Sequence, residues 1–518
     1  RLSTPKYSPF RPTVLERTVM NAISWFMGTR RSLRRKLMPL LALVGLLGVL
    51  LLAWQPSASA LTPRHYDELE FSPLPDIEIP VYERYELPNG LVVYLLEDHE
   101  LPLVTGSATF RTGSRFEPAD KVGLANLTGE AMRLGGTTNL DADALNQALE
   151  QRAASIETSI DTSEGSASFS ALSEDTADVF ALFADVVQRP AFAADKIDLL
   201  KRQYSGSIAR RNDDPDSITS REFRKLVYGA DSPYARTMEY ATLNAIERED
   251  IEQFYQASIR PERTILGIVG DFDSAQMKQR IADYFGPWQG TGTALDTTLP
   301  TVEQARAGVF RVSQPQLTQS YVQLGHLGGQ LNYPDHAALA VMNEVLNGFS
   351  GRLFNEVRSR QGLAYSVYAF WAPRYDYPGL FIGGGQTRSE ATVPFIQSTL
   401  AEINRIRTAP IAAAELAQAK DAVLNSFVFN FQSPDQTLAR LIRYEYYDYP
   451  QDFVFQFQDQ VRETTVAQVQ EAAQTHLAPE QIVILVVGDP ADIQPGLDAL
   501  APNTAVTPID ITIPQPEA

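Results

Sequence analysis

Two stretches of the chain hold residues whose types and spacing are suited to chemistry. The first is Gly123-Leu-Ala-Asn-Leu-Thr-Gly-Glu-Ala-Met-Arg-Leu-Gly-Gly-Thr137. Leu124, Leu127, Ala131 and Leu134 recur there at helical spacing, with Asn126, Gly129, Glu130 and Arg133 on the other side. A zinc site on such a helix needs two ligands one turn apart, because that spacing aims both at one ion. Asn126 and Glu130 have the spacing, but an amide is a poor zinc ligand. The histidines are His65, His99, His326, His336 and His476, and none has another within five residues. Cysteine is absent, which excludes thiol nucleophiles, disulfides and cysteine-ligated metals. Gly348-Phe-Ser-Gly351 lacks the spacing of a serine nucleophile elbow. The polar side of 123–137 is expected to be a hydrogen-bonded surface.

The second stretch is Phe349-Ser-Gly-Arg-Leu-Phe-Asn-Glu-Val-Arg358-Ser-Arg-Gln-Gly-Leu-Ala-Tyr365. A helix over 350–360 is predicted to end at Gly362, a C-terminal cap residue, with a strand starting at once. A tight turn then brings Arg358 and Tyr365 together. Both donate hydrogen bonds, as a peptide carbonyl or an oxyanion requires. Spacing alone fits a helix-end arginine and a core tyrosine equally well. Gly383-Gly-Gly385 reads either as a turn or as a sheet edge that lets an extended peptide add.

The elements that position these residues come in two similar halves. Arg260-Pro-Glu-Arg-Thr-Ile-Leu-Gly-Ile-Val-Gly-Asp271 and Ala478-Pro-Glu-Gln-Ile-Val-Ile-Leu-Val-Val-Gly-Asp489 lie 218 residues apart, each an apolar strand after an amphipathic helix. We read an internal duplication. The first half is expected to hold strands 91–96 and 103–111, two more within 155–172, and helices near 122–134, 141–153, 173–188 and 193–211. The second half repeats the mix, with strands 320–327, 364–371 and 379–384 and helices near 335–347, 350–360, 391–406 and 413–430. Short strand-to-strand links imply antiparallel pairing. The fold class is α+β: two homologous layered repeats, each a mainly antiparallel sheet with helices on one face. The expected division is a targeting region 1–60, an N-terminal domain 76–287, a Gly/Thr-rich linker 288–308, a C-terminal domain 309–497 and an extended tail 498–518.

These stretches resemble the pitrilysin/insulinase family of zinc peptidases, which includes the mitochondrial processing peptidases. The family carries His-x-x-Glu-His on a helix, framed by Gly-Ser-Arg-x-Glu, Gly-Leu-Ala and Gly-Thr. The frame is present as Gly113-Ser-Arg-Phe-Glu117, Gly123-Leu-Ala125 and Gly136-Thr137, but the motif positions read Asn126, Gly129 and Glu130. The family's later glutamates fall at Ser207, the ligand position, and Leu200. The resemblance implies that both histidine ligands, the general base and the third ligand are missing. It also implies that Arg358 and Tyr365 are the family's pair that binds substrate carbonyls. Such a chain resembles the noncatalytic subunit of a heterodimeric peptidase. It would hold no metal or other cofactor itself and would pair with a zinc-bearing homologue around unfolded peptides. An inactive member serving as scaffold of an envelope complex is the other implied role. A stand-alone peptidase of different chemistry stays open.

Composition sets the compartment and the partners. Arg30, Arg31, Arg34, Arg35 and Lys36 precede an uncharged, mostly apolar run, Leu37–Trp54, and then Ala58-Ser59-Ala60. Basic block, apolar run and small-residue site read as an export signal, with an uncleaved membrane anchor as the rival. The run would span about 27 Å as a helix, barely a bilayer core. Export implies a periplasmic or other extracytoplasmic location. Beyond residue 60 there are 35 basic and 62 acidic residues, a net charge of −27. That excess argues against nucleic acid; it fits plain solubility first, and long-range steering of cationic partners second.

Overall fold

In the computed structural model of the protein, residues 77, 79–348, 350–500 and 505–515 are described. The export signal, its apolar run, Ala58-Ser59-Ala60 and His65 lie outside the described residues. Among the described residues no helix is long and apolar enough to cross a membrane.

Two six-stranded sheets organise the chain. The first holds β1 (Glu83–Glu86), β2 (Val92–Glu97), β3 (Leu103–Phe110), β4 (Ser155–Ile160), β5 (Gly165–Leu172) and β6 (Thr264–Gly270), in the order β1-β2-β6-β3-β5-β4. The second holds β7 (Gly308–Ser313), β8 (Gln319–Leu327), β9 (Ala364–Ala372), β10 (Leu380–Arg388), β11 (Val483–Gly488) and β12 (Thr507–Pro508), in the order β12-β7-β11-β8-β10-β9. Pairing is antiparallel apart from β2–β6, β7–β11 and β7–β12. The strands that end in Gly270 and Gly488 occupy matching central places, so the 218-residue sequence repeat is also a repeat of topology. Every residue of β11, and all of β6 but its last, is buried. This is why both read as continuous apolar runs rather than alternating ones.

The helices of the first half are α1 (Leu124–Leu134), α2 (Ala142–Glu150), α3 (Thr176–Gln188), α4 (Ala194–Ala209), α5 (Pro215–Tyr228), α6 (Tyr240–Asn244), α7 (Arg248–Ser258) and α8 (Ser274–Phe285). Those of the second are α9 (His336–Leu346), α10 (Thr392–Thr408), α11 (Ala413–Ser426), α12 (Pro434–Tyr446), α13 (Phe453–Glu463) and α14 (Val466–His476). A seven-residue π-helix, Phe354–Arg360, lies between α9 and β9. The main core of each half forms where one face of its sheet meets most of these helices.

The opposite faces are covered by exchange. On α5, Ile218, Phe223, Leu226 and Val227 pack on Phe310, Val312, Val483, Leu485 and Val487 of the second sheet. On α12, Leu438, Leu441, Ile442 and Tyr446 pack on Tyr94, Leu96, Ile265 and Val269 of the first. Each helix starts at a capped proline: Asp214 accepts from Ser217 N–H, and Ser433 accepts from Gln436 N–H. Proline at the first helical position costs no hydrogen bond, and its fixed φ suits the helix.

Polar contacts join the halves as well. Arg115, nearly fully buried, pairs with Asp376 at 2.7 Å. Tyr234 stacks on Tyr377 with centroids 4.1 Å apart. Arg84 pairs with Glu445 at 2.6 Å, and the Tyr94 hydroxyl donates to the same carboxylate at 2.9 Å. The tail crosses between the halves: Ile509 and Ile511 pack beside α5, and Ile513 against the first core. Ile509 N–H donates to Arg311 O at 2.8 Å, and Asn212 donates to Ile511 O at 2.7 Å.

Candidate functional site

The frame around α1 builds its start. Glu117 is buried and accepts from the N–H groups of Gly123 at 3.0 Å and Ala125 at 2.8 Å. It thus satisfies donors that a helix N-terminus leaves orphaned. Burial pushes its pKa up, against the pull of those N–H groups and of Arg236.

The side of α1 expected to be a hydrogen-bonded surface is hydrogen-bonded, but much of it lies against β4. Asn126 donates to Ile160 O at 3.0 Å, and Arg133 donates to Ile156 O at 3.0 Å and to Asn146 at 2.7 Å. Thr158 donates to Gly129 O at 2.6 Å. Gly129 is buried at the closest point, where a Cβ would stand 2.3 Å from Ile160 N and 2.6 Å from the Ser159 carbonyl carbon. Backbone lies on both sides of that gap, so no side chain fits at 129 without moving the helix. Glu130 accepts a hydrogen bond from the Tyr204 hydroxyl at 2.5 Å. Tyr204 sits on α4, three residues before Ser207, whose hydroxyl turns back to Gln203 O at 3.2 Å. Leu200 is buried in the core. Burial, followed by the Glu130 contact, raises the Tyr204 pKa far above the usual phenol range, so Tyr204 stays a donor.

Zinc does not fit these residues. The Asn126 amide is spent on a carbonyl, position 129 has neither side chain nor room, and the Glu130 carboxylate is held by Tyr204. Among the described residues no cluster of three His, Cys, Asp or Glu side chains is arranged to hold a metal.

Arg358 and Tyr365 are brought together, as the spacing predicts. The helix there is a π-helix rather than the expected α-helix over 350–360. Such wide turns are rare and concentrate at functional sites. Gln361 N–H closes it on Glu356 O at 3.1 Å, and Gly362 turns the chain with φ 62°. Pairing between β9 and β10 slips at Gln386/Thr387, opposite Tyr365. Tyr365 is therefore the extra residue of a β-bulge, a device that re-aims one side chain. It is 82% exposed, which rules out a core tyrosine. The Arg358 guanidinium lies 4.6 Å from the Tyr365 ring centroid and 4.7 Å from that of Phe354. Among the described residues no carboxylate pairs with Arg358, so its N–H donors remain available.

The triple glycine lies neither in a turn nor on the edge. β10 runs between β8 and β9, and β9 is the edge strand. A Cβ on Gly384 or Gly385 would stand 2.1 Å from Val322 O or Ser366 O, so these glycines serve close strand approach. β9, Ala364–Ala372, carries no charged residue and no proline, and its outward main-chain groups at Ala369 and Trp371 are covered by the amides of Asn347, at the end of α9, and Asn343 on it.

Sequence reasoning missed α5, α12 and Tyr204. The pairs Asp214-Pro215 and Ser433-Pro434 are the signals that mark the two helices. Nothing in one sequence marks Tyr204, whose role depends on the packing of α4 against α1.

The comparisons agree with this geometry. Residues 92–230 match the family model described as insulinase (peptidase family M16), and residues 245–423 match the peptidase M16 inactive domain. A protein of Bacillus subtilis described as the uncharacterized zinc protease YmxG is 24% identical over 69% of this chain and 86% of its own length. The Helicobacter pylori protein described as non-peptidase homolog YmxG is 22% identical, covering 76% of this chain and 90% of its own. The crystal structure of a peptidase M16 inactive domain from Pseudomonas fluorescens superposes with a TM-score of 0.71 at 25% identity, over 79% of this chain and 98% of that one. The paired sheets, the retained frame around α1 and both family matches place this chain in the insulinase (M16) peptidase family.

Proposed function

We propose that this chain is the exported, noncatalytic, substrate-binding subunit of a heterodimeric zinc metallopeptidase acting on unfolded peptides. The observation that carries the reading is the contrast between its two sites. At α1 the base position is sealed by backbone, whereas at β9 a bulge holds Tyr365 in solvent beside an arginine with available donors. The chain's own residues bind and orient. Arg358 and the Tyr365 hydroxyl donate to carbonyl oxygens of an extended peptide. Water activation belongs to the zinc-bearing homologue. The export signal puts the pair in the periplasm or another extracytoplasmic space.

A scaffold role in an envelope complex is the second reading, favoured by the sealed α1 site and by the relative described as a non-peptidase homolog. Co-purification from native membranes and periplasm separates the two. A homologue carrying His-x-x-Glu-His, recovered in stoichiometric amount, is expected. A stoichiometric complex without any such homologue contradicts the subunit reading.

A further inference from the structure

Between the start of α1, the helix α5 and the loop 233–238 lies a cavity of about 490 Å³. Arg221, Arg224 and Arg236 line it with Glu117 and Asp161, beside Asn126, several hydroxyls and apolar residues such as Val122 and Met238. Two of the arginines are already engaged. Arg221 pairs with Glu222 at 2.7 Å and donates to Asn212 at 2.7 Å. Arg236 donates to the carbonyls of Ser114 and Glu117 and lies 4.0 Å from the Glu117 carboxylate. The acids are engaged too: Glu117 caps α1, and Asp161 accepts from the N–H groups of Ser163 and Glu164. Arg224 differs. It is exposed, its hydrogen bond goes to the neutral carbonyl of Tyr234, and among the described residues no carboxylate pairs with it.

Three arginines against two acids give the lining a formal charge of +1, in a chain whose net charge is −19. Ser217, Ser220 and Arg224 stand at i, i+3 and i+7 on α5, along one face. A single charge matches a monoanion better than a dianion. Hydroxyls interleaved with Val122, Pro233 and Met238 suit a peptide, which has a polar main chain and apolar side chains. On the same helix, Asp216 accepts from Gln386 at 2.9 Å, and Gln386 lies opposite Ser366, the neighbour of Tyr365. The start of α5 thus touches β10, one strand in from the edge that presents the arginine–tyrosine pair.

We propose that this cavity anchors the C-terminal carboxylate of an extended peptide, with Arg224 meeting the carboxylate and Ser220 donating to it. The proposal rests on peptide binding as read above, but it needs neither a partner nor cleavage. The test is fluorescence anisotropy on the purified full chain, using a labelled unstructured octapeptide with a free C-terminus and its C-terminally amidated twin. The free acid is expected to bind about tenfold more tightly or better, the scale of one charge-assisted hydrogen bond. Arg224→Gln should abolish that preference, Arg224→Lys should keep part of it, and Ser220→Ala should weaken acid binding severalfold. Thermal melts matching wild type establish that the variants fold. Equal affinity for both peptides, a preference that survives Arg224→Gln, or no saturable binding of either overturns the proposal. So does displacement of the acid peptide by inorganic phosphate at concentrations where acetate has no effect, since that marks a phosphate site. Loss of cleavage in a reconstituted pair, with this preference intact, counts against the subunit reading and leaves the cavity assignment standing.

Discussion

The Tyr204 hydroxyl donates to Glu130 at 2.5 Å, tying α1 to α4 three residues before Ser207, where the resemblance puts the family's third ligand. Tyr204→Phe removes the donor and leaves a half-buried carboxylate without it. The expected loss is about 1–3 kcal/mol, the range for a hydrogen bond to a charged group. Urea unfolding measures it, and an unchanged midpoint contradicts the assignment.

Rebuilding the lost motif should fail for a steric reason. Asn126→His, Gly129→Glu and Glu130→His together recreate the family's residues. The new side chain at 129 nevertheless meets the backbone of Ser159 and Ile160. Overpacking at a backbone contact costs about 3 kcal/mol. Gly129→Ala alone should carry much of that cost. The triple variant is expected to melt early and to retain no stoichiometric zinc after dialysis against a weak chelator. One zinc per chain with wild-type stability contradicts it.

Much of this was legible in the sequence. The alternating strands β4 and β5, the apolar runs of β6 and β11 and the helical spacing in α1 follow from side-chain period and burial alone. The turn that joins Arg358 to Tyr365 was legible from Gly362, which reverses the chain with φ 62°. What stayed hidden depends on partners distant in sequence. The apolar residues of α5 face a sheet built from residues 308–488, so their burial has no local signature. The polar side of α1 reads as surface until β4 is placed against it. The Tyr365 bulge comes from a register slip that only the pairing of β9 with β10 reveals.

The ion pair between buried Arg115 and part-buried Asp376 supports a third prediction. Arg115→Met leaves Asp376 without its partner at 2.7 Å. Breaking the pair from one side should cost less than the about 3–5 kcal/mol of a fully buried pair, because water still reaches the Asp376 carboxylate left behind. Replacing both residues with apolar ones of similar size should recover most of the loss. A double variant as unstable as the single one contradicts this account.

Stability should also respond to pH through Glu164. Burial is the largest cause of its raised pKa, opposed by Arg443 and Arg115 and reinforced by Asp161 and Asp376. A raised folded value means that the native state binds the proton more tightly than the unfolded chain does. Its contribution is complete below the ordinary carboxylate value of about 4.3 and is lost as pH rises through the folded value. Glu164→Gln removes the charge and should therefore raise the urea midpoint relative to wild type at pH 7 more than at pH 4.5. The opposite order contradicts the shift.

The central claim is that Arg358 and Tyr365 serve a partner's chemistry. The direct measurement is steady-state cleavage of an unfolded peptide by this chain reconstituted with its zinc-bearing homologue. Loss of one donor to a developing oxyanion costs roughly 3–4 kcal/mol, a hundredfold or more in kcat. A carbonyl contact made equally in the ground state would appear in KM instead. Tyr365→Phe and Arg358→Ala should each cripple kcat/KM while the complex stays assembled on a sizing column. Glu130→Gln should leave it nearly unchanged. Wild-type kcat/KM for both Tyr365→Phe and Arg358→Ala would contradict the account.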